Sequence, residues 1–251
     1  MKANGMRKRD AYWGLVQQRK TCNSCAVHGY KNQAELGYDT GEVGNYSTWA
    51  NDLDADVLIV AQDFSNQAIY MRDKGLIEPK RLSEDAGPGD YSTETNFFLR
   101  ELTKVIGRDM GLPTHAGGKG VFLTNAVLCL KPGAMNAANP AKVIANCGAR
   151  FLRPLVELIQ PKVIVTLGAV PARSVLMAYA TDVPELAPLR KAAFGIVCRQ
   201  GPYHLPNGTR LYPMYHPGRL GQSQRQRAEP TGANGWELMK ADWRRMNKLL
   251  K

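Results

Sequence analysis

The sequence predicts an α/β fold: a three-layer α/β/α sandwich around a central, mostly parallel four-stranded sheet. Two observations predict it. Four short apolar runs are separated by segments whose apolar residues recur at helical spacing, giving strand, helix, strand, helix, strand, helix, strand, helix. The runs are continuous rather than alternating, as strands covered on both faces require. The size, 251 residues with 44% hydrophobic and 22% charged, suits one large domain and rules out disorder throughout. That domain is expected to span 1–251, with an N-terminal helix and cysteine-containing segment over 1–50, a core over 51–225 and a C-terminal helix over 226–251.

Each element has its own signal. Residues 1–21 are basic, carry Tyr12 and Trp13, and open a helix. Residues 22–50, rich in Gly, Asn, Tyr and Cys, are expected to be irregular. The first strand is Val57 to Ala61, inside DADVLIVAQD. Residues 65–93 read mostly as loop, with a turn at Gly87, Pro88 and Gly89. A helix follows from about Thr95 to Ile106, where Phe97, Phe98, Leu102 and Ile106 share a face. The glycine loop HAGGKG leads into a second strand, Val121 to Val127. The next helix runs from about Pro140 to Ile159, with Asn139 placed to cap it and Pro140 suited to its first position. Pro161 ends it, and KVIVTLG forms the third strand. Residues 169–179 form a short helix, TRLYPMYHP the fourth strand, and a basic helix from about Gly235 to Leu250 closes the chain.

Lys and Arg outnumber Asp and Glu by 33 to 22, a net charge of +11 with a pI near 9.5. Such a charge points to a polyanionic partner, nucleic acid before an anionic membrane surface. A membrane span is excluded: the most apolar stretch, Val163 to Ala180, is interrupted by Pro171 and Arg173. The charged N-terminus is followed by no apolar signal core, so a cytoplasmic protein, expected to be a monomer, is the reading. Its five cysteines are then metal ligands or buried thiols rather than disulfides.

In an open parallel sheet, ligands bind beyond the carboxyl ends of the strands. Those ends carry Gln62, Asp63 and Phe64; Asn125; Gly168; and His216 with Pro217. The segments VLIVAQDF, VFLTNAVLCLKPG, PKVIVTLGA and YPMYHPGRL, in that order, resemble the motifs of the uracil-DNA glycosylase superfamily. The likeness is closest to its iron–sulfur-containing family 4 type. The first motif, AQDF, is nearer the Gly-Gln-Asp-Pro of the archetypal branch than the Gly-Glu-Ala-Pro-Gly of family 4. The resemblance covers about residues 50–225. It implies an enzyme that flips uracil out of DNA and hydrolyses its N-glycosidic bond, leaving an abasic site for base excision repair.

The resemblance also distributes roles. Asp63 stands where the archetypal branch carries the carboxylate that stabilises the electron-poor sugar and orients water; capping a turn is its plainer alternative. His216 matches the histidine that hydrogen-bonds a uracil carbonyl. Asn125 would read the uracil edge, because a carboxamide offers a donor and an acceptor side by side; otherwise it ties down the strand end. Gln62 lies beside Asp63 on the substrate side. Phe64 and Tyr91 are both candidates for the aromatic face on which the flipped base stacks. Ser65 occupies the position where the archetypal branch has a Tyr that blocks thymine. Leu220, four residues after His216, matches the wedge that fills the hole left in the duplex. Arg219, Arg225 and Arg227 around it would neutralise phosphates. Gly168 and Gly218, with Gly87 and Gly89, would offer free backbone N–H groups to the strand.

Cys22 and Cys25 form C-x2-C, and Cys129 and Cys147 follow with 17 residues between them. That arrangement resembles the four-cysteine [4Fe–4S] site of family 4, and four thiolates are what a cubane cluster requires. A zinc site is the alternative, although zinc ribbons usually pair two C-x2-C knuckles and only one is present. Either centre would staple the N-terminal segment to the loop at 130–139, with Cys198 left over and inert. Two other functions compete: a DNA-binding protein of the same fold that grips damaged or abasic DNA without turnover, and an unrelated [4Fe–4S] redox protein. Asp63 together with His216 favours the enzyme.

Overall fold

In a computed structural model of the chain, the described residues are 2–37, 39–44, 47, 50–63, 66–68, 91–110, 118–134, 136–229 and 232–250, with side chains described from residue 7 and, in the helix that begins at 91, from residue 95. Five strands form one sheet: β1 (Val57–Ala61), β2 (Val121–Asn125), β3 (Val163–Leu167), β4 (Tyr203–His204) and β5 (Arg210–Met214), in the order β2-β1-β3-β5-β4. β2, β1, β3 and β5 are mutually parallel, and β4 pairs antiparallel with β5. The expected architecture holds with one more strand than the predicted four. β4 has only two residues, too few to carry a pattern. Its turn was nevertheless legible, since Asn207-Gly208 is a strong hairpin signal and Gly208 takes the left-handed conformation at φ 82°.

Every residue of β1, β2 and β3 is buried, which is why these runs are continuous rather than alternating. On one face Leu58, Val60, Phe122 and Ile164 pack under α1 (Lys2–Lys20), α3 (Ala141–Cys147), α4 (Arg153–Ile159), α5 (Ala169–Tyr179) and α6 (Phe194–Gln200). On the other, Val57, Ile59, Leu123 and Val165 pack under α2 (Tyr91–Val105) and α8 (Gly235–Asn247), through Leu99, Leu102, Met239 and Trp243. The outer edge of β2 is covered by the preceding segment: Ala50 accepts from the Leu123 N–H at 2.8 Å and Asn51 bridges Phe122, which blunts an otherwise open edge.

Three expectations are corrected. The helix expected over Pro140–Ile159 is interrupted by a π turn at Gly148–Leu152, directly after Cys147, where the helix packs on α5. A Cβ added at Gly148 would lie 3.1 Å from Ser174 Oγ. Asn139 does not cap that helix; Pro140 occupies the cap position without a side-chain bond, and Asn139 is used elsewhere. The C-terminal helical region, expected over 226–251, begins earlier, with α7 (Arg219–Ala228) ahead of α8.

Candidate functional site

Because β1, β2, β3 and β5 run the same way, their carboxyl ends lie along one edge of the sheet. The strand order reverses at β1, so the crevice between β1 and β3 is the topological switch point where such folds bind ligands. Ala61 is in register with Asn125, and the Gly168 N–H donates to Met214 O at 2.8 Å. The edge therefore carries Gln62 and Asp63, Asn125, Gly168 and His216 across neighbouring strands, as the sequence indicated.

Asn125 is 3% exposed, and among the described residues neither its Oδ1 nor its Nδ2 has a hydrogen-bond partner. Burying an unpaired amide costs roughly 1–3 kcal/mol per group, and such groups are rare in native interiors. A residue tying down a strand end would be bonded to the backbone it secures. Asn125 is not, so its carboxamide has both a donor and an acceptor to offer.

His216 follows β5 and keeps an exposed edge, yet desolvation by the protein around it lowers its pKa below the ordinary imidazole value. Its Nδ1 accepts from the Gly218 N–H at 3.1 Å. That bond fixes the neutral tautomer with the proton on Nε2, so Nε2–H is the outward donor. The turn depends on glycines that the sequence reading did not single out for this purpose. A Cβ at Gly221 would fall 1.9 Å from His216 O, and one at Gly218 would lie 3.1 Å from His216 Nδ1 and 3.4 Å from Thr95 Oγ1. Thr95 of α2 thus borders the same site.

Asp63 is held more tightly than expected. Its Oδ2 accepts from Lys131 Nζ at 2.9 Å, Asn139 Nδ2 at 2.8 Å and Gln62 Nε2 at 3.0 Å. The Lys131 side chain is 2% exposed and that of Asp63 10%, so this is a buried ion pair. Lys131 also donates to Ala137 O at 3.3 Å. Asn139 Oδ1 in turn accepts from the Tyr30 hydroxyl at 2.7 Å. Burial, the Asp63 charge and the neighbouring cysteines push the Tyr30 hydroxyl up to about 12. Gln62 is therefore committed to Asp63. Sequence reasoning missed Lys131, Asn139 and Tyr30; the one available signal was a lysine directly after an apolar run, in VLCLKPG.

Leu220 is 70% exposed in the first turn of α7, beside Arg219, which is also exposed. Arg225 is corrected: it is buried and paired with Asp242 at 2.7 Å and Glu229 at 2.6 Å, so it is committed inside the fold, whereas Arg227 is exposed. The free N–H groups expected of Gly168 and Gly218 are also corrected, since both already donate, to Met214 O and to His216 Nδ1. Phe64, Ser65, Gly87 and Gly89 lie outside the described residues. Tyr91 is the first residue of α2, and its side chain lies outside the described set. A cavity of about 310 Å³ lies beside β5, lined by Cys198, Tyr212, Tyr215 and Arg225 among others; of the residues expected at the site, Arg225 alone is in this lining, and it is the one committed inside the fold.

Cys22, Cys25, Cys129 and Cys147 are all buried. Cys25 and Cys147 share a sulfur hydrogen bond. That bond, helped by a donor from Asn146 at 3.2 Å, lowers Cys25 to about 6 against its burial, and it raises Cys147. Burial and the charges of Cys25 and Cys22 push Cys129 up to about 12. As thiolates, four buried sulfurs would need a compensating cation. Among the described residues, no group of three or more His, Cys, Asp or Glu is arranged to hold a metal ion.

The +11 charge is uneven. Residues 1–20 contribute +5 and residues 185–251 contribute +8, leaving −2 between. The second basic block includes α7 and α8, next to His216 and Leu220. No helix among the described residues is long and apolar enough to cross a membrane. A family model for the Uracil DNA glycosylase superfamily matches residues 78–241. That span runs from before α2 into α8 and includes Asn125, Gly168, His216 and Leu220, while Asp63, Cys22 and Cys25 precede it. The chain belongs to this superfamily, and its function is of the uracil-DNA glycosylase type.

Proposed function

We propose that the protein is a monofunctional uracil-DNA glycosylase, which takes uracil out of the DNA stack and hydrolyses its N-glycosidic bond to leave an abasic site. The observation that carries this reading is the Asn125 carboxamide, buried with both polar atoms unpartnered at the end of β2. Uracil presents O4 and N3–H side by side, an acceptor and a donor that together satisfy both. The His216 Nε2–H donates to the other uracil carbonyl, where negative charge develops as the base leaves. A neutral donor suits that task. Asp63 supplies the opposite charge, facing the sugar as it becomes cationic and orienting the attacking water. In the step, the C1′–N1 bond breaks and its electron pair leaves with uracil. The water oxygen bonds C1′ and its released proton passes to the Asp63 carboxylate, which returns it to solvent once uracil has left. A leaving group held as an anion by Asn125 and His216 needs no proton from the enzyme.

Leu220 suits the wedge role by its exposure, and Arg219 and Arg227 suit phosphates. Cys22, Cys25, Cys129 and Cys147 would hold a [4Fe–4S] cluster, zinc being the rival. The bound centre would cross-link the N-terminal cysteine-containing segment to the loop at 130–139. The residues that do the chemistry lie elsewhere. The reading is tested with Asp63→Asn in single-turnover excision from a uracil-containing oligonucleotide, scored by alkali cleavage. Loss of a preorganised charge should slow excision by on the order of 10²–10³-fold. Excision within a few-fold of the parent would remove Asp63 from the mechanism. A parent protein that binds this DNA but makes no alkali-labile sites would favour binding without turnover.

A further inference from the structure

Lys131 is among the largest fully buried side chains of the described residues. A buried ammonium is strongly unfavourable unless it is paired and hydrogen-bonded, and the ionic partner here is the carboxylate assigned to catalysis. The backbone on both sides of Lys131 is fixed. Leu130 exchanges bonds with Lys31 at 2.8 and 3.1 Å, and the Gln67 N–H donates to Lys131 O at 3.0 Å. Asn139 is fixed in a different way. Its Oδ1 accepts the hydrogen bond of the Tyr30 hydroxyl, which leaves Nδ2 as the end facing Asp63. Two donors anchored on separate segments, joined by Gln62, therefore converge on one oxygen, Oδ2. A carboxylate gripped in this way has one orientation.

We propose that Lys131 and Asn139 are positioning residues for the glycosylase reaction: they hold Asp63 by Oδ2 so that Oδ1 is the oxygen presented to the sugar and water. The proposal rests on Asp63 being the catalytic carboxylate. It makes Lys131 a residue that never touches DNA, despite its charge. A carboxylate released from this grip rotates about its χ angles, and a displacement of about 1 Å at a catalytic group is worth roughly 10²-fold in rate.

The test is a double-mutant cycle. Lys131→Met and Asn139→Ala are each made in the parent and in the Asp63→Asn background. Single-turnover excision, DNA affinity and its salt dependence are measured for all. Lys131→Met should slow excision by roughly 10²-fold with DNA affinity and salt slope unchanged. Asn139→Ala, which leaves the ion pair intact, should slow it by about tenfold. In the Asp63→Asn background both should add less than about twofold, because the group they position is gone. Equal losses in both backgrounds would overturn the proposal, and so would a salt slope reduced by about one, the mark of a lost phosphate contact. If Lys131→Met does not fold, Asn139→Ala decides alone by the same criterion. A slow Asp63→Asn with a normal Lys131→Met defeats only the positioning role. A normal Asp63→Asn defeats the assignment of Asp63 itself.

Discussion

Replacing Asn125 by Leu should make the protein more stable and less active, a pairing that an ordinary structural asparagine would not produce. The carboxamide lies at 3% exposure with both polar atoms unpaired. Such a group costs roughly 1–3 kcal/mol when buried, and the near-isosteric Leu removes that penalty. The slightly larger side chain offsets part of the gain, since overpacking a filled site is unfavourable by a comparable amount. The net expectation is about 1 kcal/mol of added stability, which in a chain of this size corresponds to a Tm rise of about 2–4 °C. The urea midpoint should rise with an unchanged slope. Excision of uracil should fall by at least 10²-fold, because both hydrogen bonds to the base edge are lost where the base must be read and its charge held. Free uracil should raise the Tm of the parent but not of the variant. A destabilised Asn125→Leu that still excises uracil would refute the reasoning and make Asn125 a structural residue.

His216 is depressed by desolvation, so it remains neutral, with Nε2 protonated, to a lower pH than a free imidazole of about 6.5. Excision by the parent should hold at neutral pH and be lost only as pH falls through that depressed value, and His216→Gln should remove the limb from the pH–rate profile. Asp63→Asn should lower the Tm as well as the rate, since it leaves the Lys131 ammonium facing a neutral amide, and adding Lys131→Met should recover Tm without recovering activity; a Tm equal to the parent's for the single variant would mean the pair adds nothing to stability. Leu220→Ala should weaken excision from duplex more than from single-stranded DNA, because only the duplex leaves a stacked hole to fill, and equal losses would show that α7 carries no wedge. Protein purified anaerobically should contain about four iron atoms per chain, with Cys129→Ser lowering iron content and Tm together, whereas stoichiometric zinc without iron would sink the cluster while leaving the glycosylase reading intact.

The sequence by itself determined the sheet and most of the edge that carries the site. β1 was legible as Val57 to Ala61 and α5 as residues 169–179 because a strand buried on both faces needs an unbroken apolar run, and because Gly168 and the apolar spacing after it mark a helix start. Once the strands were placed, chain order and parallel topology alone brought Asp63, Asn125, Gly168 and His216 to one edge. Tertiary structure decided what those residues do there. Asn139 looked like a helix cap because capping is a local pattern of residue type and spacing. Its actual partners, Tyr30 and Asp63, are 109 and 76 residues away. The pairing of Lys131 with Asp63 spans 68 residues, and no periodicity encodes a contact of that range. Arg225 looked like a phosphate ligand because charge is read from composition, whereas its commitment to Asp242 depends on how α7 packs against α8. The orphaned carboxamide of Asn125 is of the same kind. A sequence shows that an amide is present, and only the packing around it decides that no group among the described residues answers it.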